Sequence, residues 1–279
     1  MIDLISLAIL FIGLALASYY DLKTTEIPDM LAYFLLFSGV ILFSINAFML
    51  KDWEKIKYSL ASALLIALIG FGMYFFGQWG LGDSFLLASS GFLFFSNPLG
   101  KTLMGPQLDF LFNLFLIGVF YVLFYSFFIS FKNKKVFRNF VKELSAQKNQ
   151  IILYVFLIGL VFSFMSFYLV GKIVLKLVLI PLAVVLFLIF SWVYLKVCEK
   201  NFIKRIHVKN LKVGDVLLES KRWDGIDKKT LMKIKKSGKK YVYVKTGVAF
   251  APTFLIALIV TIFFGNFYFF VLSKLLFLL

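Results

Sequence analysis

The chain has 279 residues, of which 62% are hydrophobic and 37 are phenylalanine, and it carries a formal net charge of +16. One soluble core of this length does not bury that much apolar surface, so the composition excludes a simple water-soluble globule and implies a polytopic membrane protein. One cysteine, Cys198, excludes an internal disulfide and a thiolate metal site, and a single His207 excludes a multi-histidine ligand set.

Apolar runs of spanning or near-spanning length occur at about 3 to 20, 30 to 50, 57 to 76, 108 to 131, 150 to 170, 173 to 197 and 248 to 272. The first lacks a basic leader and a small-residue cleavage site, so it reads as a retained span. An eighth run, about 84 to 97, covers only about 21 Å at the helical rise and is short for a crossing. With it counted, the chain reads as all-α with about eight transmembrane helices and a small α+β module before the last.

Parity then sorts the loops. One set, 21 to 29, 77 to 83, 132 to 149 and 198 to 247, includes six Lys and Arg between Lys132 and Lys148 and fifteen between Lys200 and Lys245. The other set holds only a few lysines, so the positive-inside rule puts the basic set in the cytoplasm and both termini outside. Without the marginal span, the 21 to 29 loop changes sides. The expected organisation is a catalytic transmembrane core (1–131), a basic cytoplasmic loop (132–149), a transmembrane hairpin (150–197), the basic module (198–247) and a C-terminal transmembrane helix (248–279). In the module, Ile206 to Leu218 reads as a strand pair turning at Val213-Gly214-Asp215, Asp227 to Lys236 as a capped helix, and Tyr241 to Val244 as a strand. The positive charge lies beside spans, which favours membrane lipid over nucleic acid as its partner.

Most of the fourteen acidic side chains lie at the outer side or among lysines, where solvation or pairing accounts for them. Asp21, Glu26, Asp29 and Asp83 remain. Asp83 closes Gly80-Leu81-Gly82-Asp83 and has an ordinary reading as an N-cap for the run from Ser84, with glycines suited to the turn. Asp21 ends the first apolar run, where a helix C-terminus disfavours an anion. The topology brings both to one membrane level. Two carboxyls close together in a low-dielectric site share a proton, with one ionised to activate water and the other protonated to polarise a carbonyl.

Asp21-Leu22-Lys23-Thr24-Thr25-Glu26-Ile27-Pro28-Asp29 and Gly80-Leu81-Gly82-Asp83 resemble the two signatures of the prepilin peptidase and archaeal preflagellin peptidase family, the GxGD membrane aspartyl proteases. The resemblance covers roughly residues 3 to 100. It implies Asp21 and Asp83 as the catalytic dyad, Gly80 and Gly82 as support for the catalytic loop, and no metal or cofactor. It implies prepilin-like or preflagellin-like precursors as substrates, cut at the cytoplasmic face of the cell membrane. No cysteine-rich domain is present, so the N-methylation of bifunctional relatives is not expected. The module and the junction 245 to 252 are similar to the longer archaeal members. Glu26 and Asp29 make an acidic loop suited to attract the basic leader of such precursors. Tyr20-Asp21 with Gly-Leu-Gly-Asp also matches the presenilin-like and signal-peptide-peptidase-like motif pair. A proton- or cation-coupled transporter using the same aspartates is the alternative from another class.

Overall fold

The computed structural model describes residues 2–131, 134–245 and 247–277; Lys132 of the basic stretch, Thr246 of the junction and the last two residues of the 248–279 segment lie outside them. Two compact units emerge, one formed by 1–122 with 204–279 and the other by 123–203.

The first unit begins with three long apolar helices, α1 (Ile2–Thr24), α2 (Asp29–Leu50) and α3 (Trp53–Phe75). Asp52 starts α3 by accepting the Lys55 N–H at 3.2 Å. The short α4 (Leu81–Leu93) lies among them, with Ser84, the 86–91 stretch and Leu93 all buried. Small residues allow this. A Cβ on Gly70 would lie 3.1 Å from the Ser84 carbonyl oxygen, and one on Gly91 would lie 3.2 Å from Ala63 Cα, so α3 and α4 meet nearly backbone to backbone. Ser6 Oγ donates to the Leu93 carbonyl at 2.6 Å, which sets α1 antiparallel to α4. Tyr33 meets Phe85 edge to face and Phe43 meets Phe92, so α2 runs parallel to α4.

After α5 (Pro106–Phe131) the chain leaves this unit and returns to it through the module. The unit closes with α10 (Ala251–Phe264) and α11 (Phe267–Phe277), which are numbered after the helices between them. The shared core includes Leu10, Leu14, Leu35, Ile66, Leu87, Phe94, Phe110, Phe254 and Leu258.

Among the described residues, six helices are long and apolar enough to cross a membrane: α1, α2, α3, α5 and two in the second unit. The protein is a multi-pass membrane protein, but the expected eight spans are corrected. The run 84 to 97 is a helix only to Leu93. The expected last helix is broken, because Gly265 turns at φ 65° between α10 and α11.

Short helices end inside the bundle, and their free polar groups must be met by side chains. Gln107 Nε2 donates to the carbonyls of Ser59 and Gly91, both at 3.0 Å. Asn97 Nδ2 donates to the carbonyls of Lys101 and Thr261. Asn113 bridges the break, donating to the Gly265 carbonyl at 2.7 Å and accepting the Phe267 N–H at 2.9 Å. Asp109, fully buried, accepts from Thr102 Oγ1, the amides of Leu103 and Met104, and Asn266 Nδ2.

In the second unit, α6 (Lys134–Ala146), α7 (Lys148–Val170) and α8 (Leu175–Asn201) follow the end of α5. The stretch expected as a basic loop at 132–149 is therefore mostly helix. Val136 and Phe140 pack against Tyr194, Val197, Cys198 and Phe202, while Arg138 and Lys142 stay exposed. Lys196 pairs with Glu143 at 3.2 Å. The amphipathic spacing buries one face of a helix that composition alone reads as a polar connection.

The module is a three-stranded sheet of order β1-β3-β2, from β1 (Ile203–His207), β2 (Val216–Leu217) and β3 (Tyr241–Lys245), with α9 (Lys228–Lys236). The expected strand pair within 206 to 218 is corrected: β2 pairs antiparallel with β3, Leu217 opposite Val244, and β3 separates β2 from β1. Leu211, Ile226 and Val244 form its core with Leu231 and Ile234 of α9. Asp227 caps α9, accepting the Thr230 N–H at 2.7 Å, and its bonds to Thr230 hold this carboxyl below the usual carboxylate range.

Candidate active site

Asp21 lies in the last turn of α1 and is only 6% exposed. Asp83 lies in the first turn of α4 and is half-buried. Because α1 and α4 run antiparallel, these two positions share one end of the bundle. The N-cap of α4 is Gly80, not Asp83 as the ordinary reading has it. Asp83 stands three residues further on, with its carboxylate turned back to the Gly80 amide, which is half of a capping box.

The two motifs touch through Ile27 and Gly82. A Cβ on Gly82 would lie 3.0 Å from Ile27 Cβ and 3.2 Å from its Cδ1. Glycine at 82 is thus a matter of space. At Gly80 a Cβ would meet only Asp83 Oδ2, at an ordinary 3.4 Å, and the backbone is extended at φ −72°. The two glycines therefore differ in what they contribute.

Asp21 has a partner from the far end of the sequence. Its Oδ2 accepts the Ala251 N–H at 2.8 Å, at the start of α10. Lys23, the cation nearest in sequence, instead turns to Tyr19, 5.6 Å from the centre of the ring. Phe250, just before Ala251, packs on Trp79 with ring centres 5.4 Å apart, and Trp79 immediately precedes Gly80. Phe254 and Phe115 complete this aromatic group.

Glu26 and Asp29 are both exposed. Asp29 begins α2, where a helix N-terminus favours an anion. Glu26 lies against Gly214 of the module so closely that a Cβ there would collide with its Oε1. A second junction forms at the end of α3: Tyr74 Oη donates to Asp224 at 3.1 Å, and Arg222 stacks over Tyr74 and Phe75. The loop after α1, the end of α3 and the module thus meet at the end of the unit that holds the two aspartates. Among the described residues, no group of three or more His, Cys, Asp or Glu is arranged to hold a metal ion.

The sequence gives Ile27 a place in the first motif but no role, and it marks neither Trp79 nor, within the junction 245 to 252, Phe250 and Ala251. The apolar–aromatic character of Trp79 beside the glycine turn was visible. The role of Ala251 was not, because a backbone amide leaves no mark in sequence.

Residues 8–130 match the model of the type IV leader peptidase family. No curated protein and no solved structure matches the chain. The matched segment contains Asp21, Ile27, Gly80, Gly82 and Asp83; the module and α10 lie beyond it.

Proposed function

We propose, from the membership of residues 8–130 in the type IV leader peptidase family, that the protein is a membrane aspartyl endopeptidase that removes basic leaders from prepilin-like or preflagellin-like precursors. The observation that carries this reading is the meeting of the two motifs at one end of the bundle, with Ile27 on Gly82, Asp21 in the last turn of α1 and Asp83 in the first turn of the antiparallel α4. In the first step the ionised carboxylate takes a proton from water as the water oxygen attacks the scissile carbonyl carbon. The carbonyl electron pair moves to its oxygen, which takes the proton of the other carboxyl. The resulting gem-diol collapses, the C–N bond breaks, and the amine leaves with the proton first taken from water. One of the two diol protons returns to the second carboxyl and the other stays on the new carboxylic acid, so the pair ends as it began.

The basic module meets the same end of the unit as the aspartates, and the concentration of Lys and Arg there supports a cytoplasmic site. Glu26 and Asp29 supply negative charge beside the site, suited to a leader rich in Lys or Arg.

The test is cleavage of a tagged precursor, with a basic leader before an apolar helix, by the purified protein in lipid vesicles, with the new N-terminus read by mass spectrometry. Release of the leader at a single position is expected; an intact precursor contradicts the reading. Reversing the loop charge with Glu26→Lys and Asp29→Lys is expected to raise KM several-fold with kcat little changed. Unaltered kinetics remove these two residues from substrate capture.

A further inference from the structure

We infer that the amino terminus of α10 is a third component of this site, in which the backbone N–H of Ala251 holds Asp21 as the ionised, water-activating member of the pair. The inference rests on the protease reading and adds to it a division of labour and a positioning group from outside the family-matched segment.

Asp21 is in the last turn of α1, among carbonyls that have no helical partner, and that end of a helix disfavours an anion. Lys23 does not compensate, since it is turned to Tyr19. The start of α10 opposes this with the opposite sign of partial charge. Few amides are available there. Pro252 has none, and the Thr253 N–H is taken by the Phe250 carbonyl at 3.0 Å. The Ala251 N–H goes to Asp21 Oδ2 at 2.8 Å, and the Phe250 amide also faces this carboxylate. An N–H donor favours the charged form of its acceptor and fixes its orientation. With Oδ2 bound in this way, the carboxylate keeps one orientation as it takes the proton of water.

Asp83 is placed for the complementary task. It is half-buried and stands in the first turn of α4, directly after the Gly80-Leu81-Gly82 turn. Trp79 and Phe250 join the two halves: one precedes the Gly80 turn, the other precedes Ala251, and their rings are in contact. Phe250 is held from the other side by Gly118, where a Cβ would come within 3.0 Å of the ring. The chain reaches Phe250 directly from β3, so the module's exit delivers the donor to the aspartate. Ala251 is a positioning residue, acting through its main chain on the catalytic Asp21.

The test replaces Ala251 by its α-hydroxy analogue, lactic acid. This exchanges the N–H for an ester oxygen and keeps the methyl side chain. The same ester at Ala257, in the interior of α10, is the control for weakening the helix. The Ala251 ester is expected to lower kcat for a tagged precursor by about ten- to a hundredfold with KM unchanged, the usual worth of a hydrogen bond to a charged group. The Ala257 ester is expected to keep kcat near the starting value. Wild-type kcat in the Ala251 ester, or equal losses in both esters, overturns the inference. A second readout does not depend on cleavage: in protein labelled with 15N-alanine, Asp21→Asn is expected to move the Ala251 amide proton resonance upfield, and Asp83→Asn to leave it near its original position. If the wild type cleaves no precursor, the protease reading fails, and this resonance still decides the inference. An Ala251 resonance indifferent to Asp21→Asn overturns it.

Discussion

At the scale of single residues, the site depends on contacts that differ between positions a motif treats alike. Gly80 and Gly82 both belong to one four-residue signature, yet only Gly82 has a side chain pressed against it. Gly82→Ala is expected to lower kcat/KM by at least about tenfold, because the turn carrying Asp83 must shift away from Ile27. Shortening the obstacle in the double variant Gly82→Ala with Ile27→Ala is expected to recover most of the loss. Gly80→Ala is expected to stay within a few-fold of the starting activity, since its backbone is extended and its added methyl makes only an ordinary contact. Steady-state cleavage by the four proteins checks this, and equal losses at both glycines contradict it. The two aspartates, the acidic loop and the glycine turn were legible in sequence because carboxylates beside long apolar runs are few. The Asp21 partner was not: Ala251 is 230 residues away and contributes a group that every residue but proline has.

Among elements, two short helices carry the architecture. α4 and α10 each run about 20 Å, less than the hydrocarbon thickness of a bilayer of about 30 Å. They are tolerated because they lie within protein and because Asn97, Gln107, Asp109 and Asn113 meet the polar groups where the helices stop. Hydropathy averaged over a window sees the apolar mass of 248 to 272 and passes over Gly265-Asn266, which is why that stretch reads as one span. The same averaging merges 84 to 97 into a single run. Asp109 read as an ordinary charge at the outer side, whereas the fold buries it with four donors around it. Asp109→Asn presents an amide to groups that already donate, and is expected to destabilise the protein by roughly 2–3 kcal/mol. Thermal unfolding in detergent measures this, and an unchanged midpoint contradicts the structural role assigned here. The helix α6 was missed for a related reason: its Lys and Arg dominate the composition, while the Val136 and Phe140 spacing that buries one face is short.

On the scale of the whole molecule, the question left open by sequence was which loops share a side. Parity made the answer depend on one marginal span. The contacts remove that dependence, since Glu26 with Gly214, Tyr74 with Asp224, and Asp21 with Ala251 bring the loop after α1, the end of α3 and the exit of the module together. The module is therefore joined to the proposed catalytic end at two places, and α10, which follows it, at a third. Its lysines give that end the positive charge expected of a cytoplasmic face. The family match stops at residue 130, and the sequence tied the module to the aspartates only through span parity.

The most direct measurement is cleavage of the tagged precursor by vesicles containing the wild type, Asp21→Asn or Asp83→Asn, with each variant first shown to insert and unfold like the wild type. Loss of cleavage in both variants is the expected result, because each carboxyl has a separate proton to carry. Retained cleavage in either variant removes that aspartate from the chemistry and contradicts the two-carboxyl mechanism.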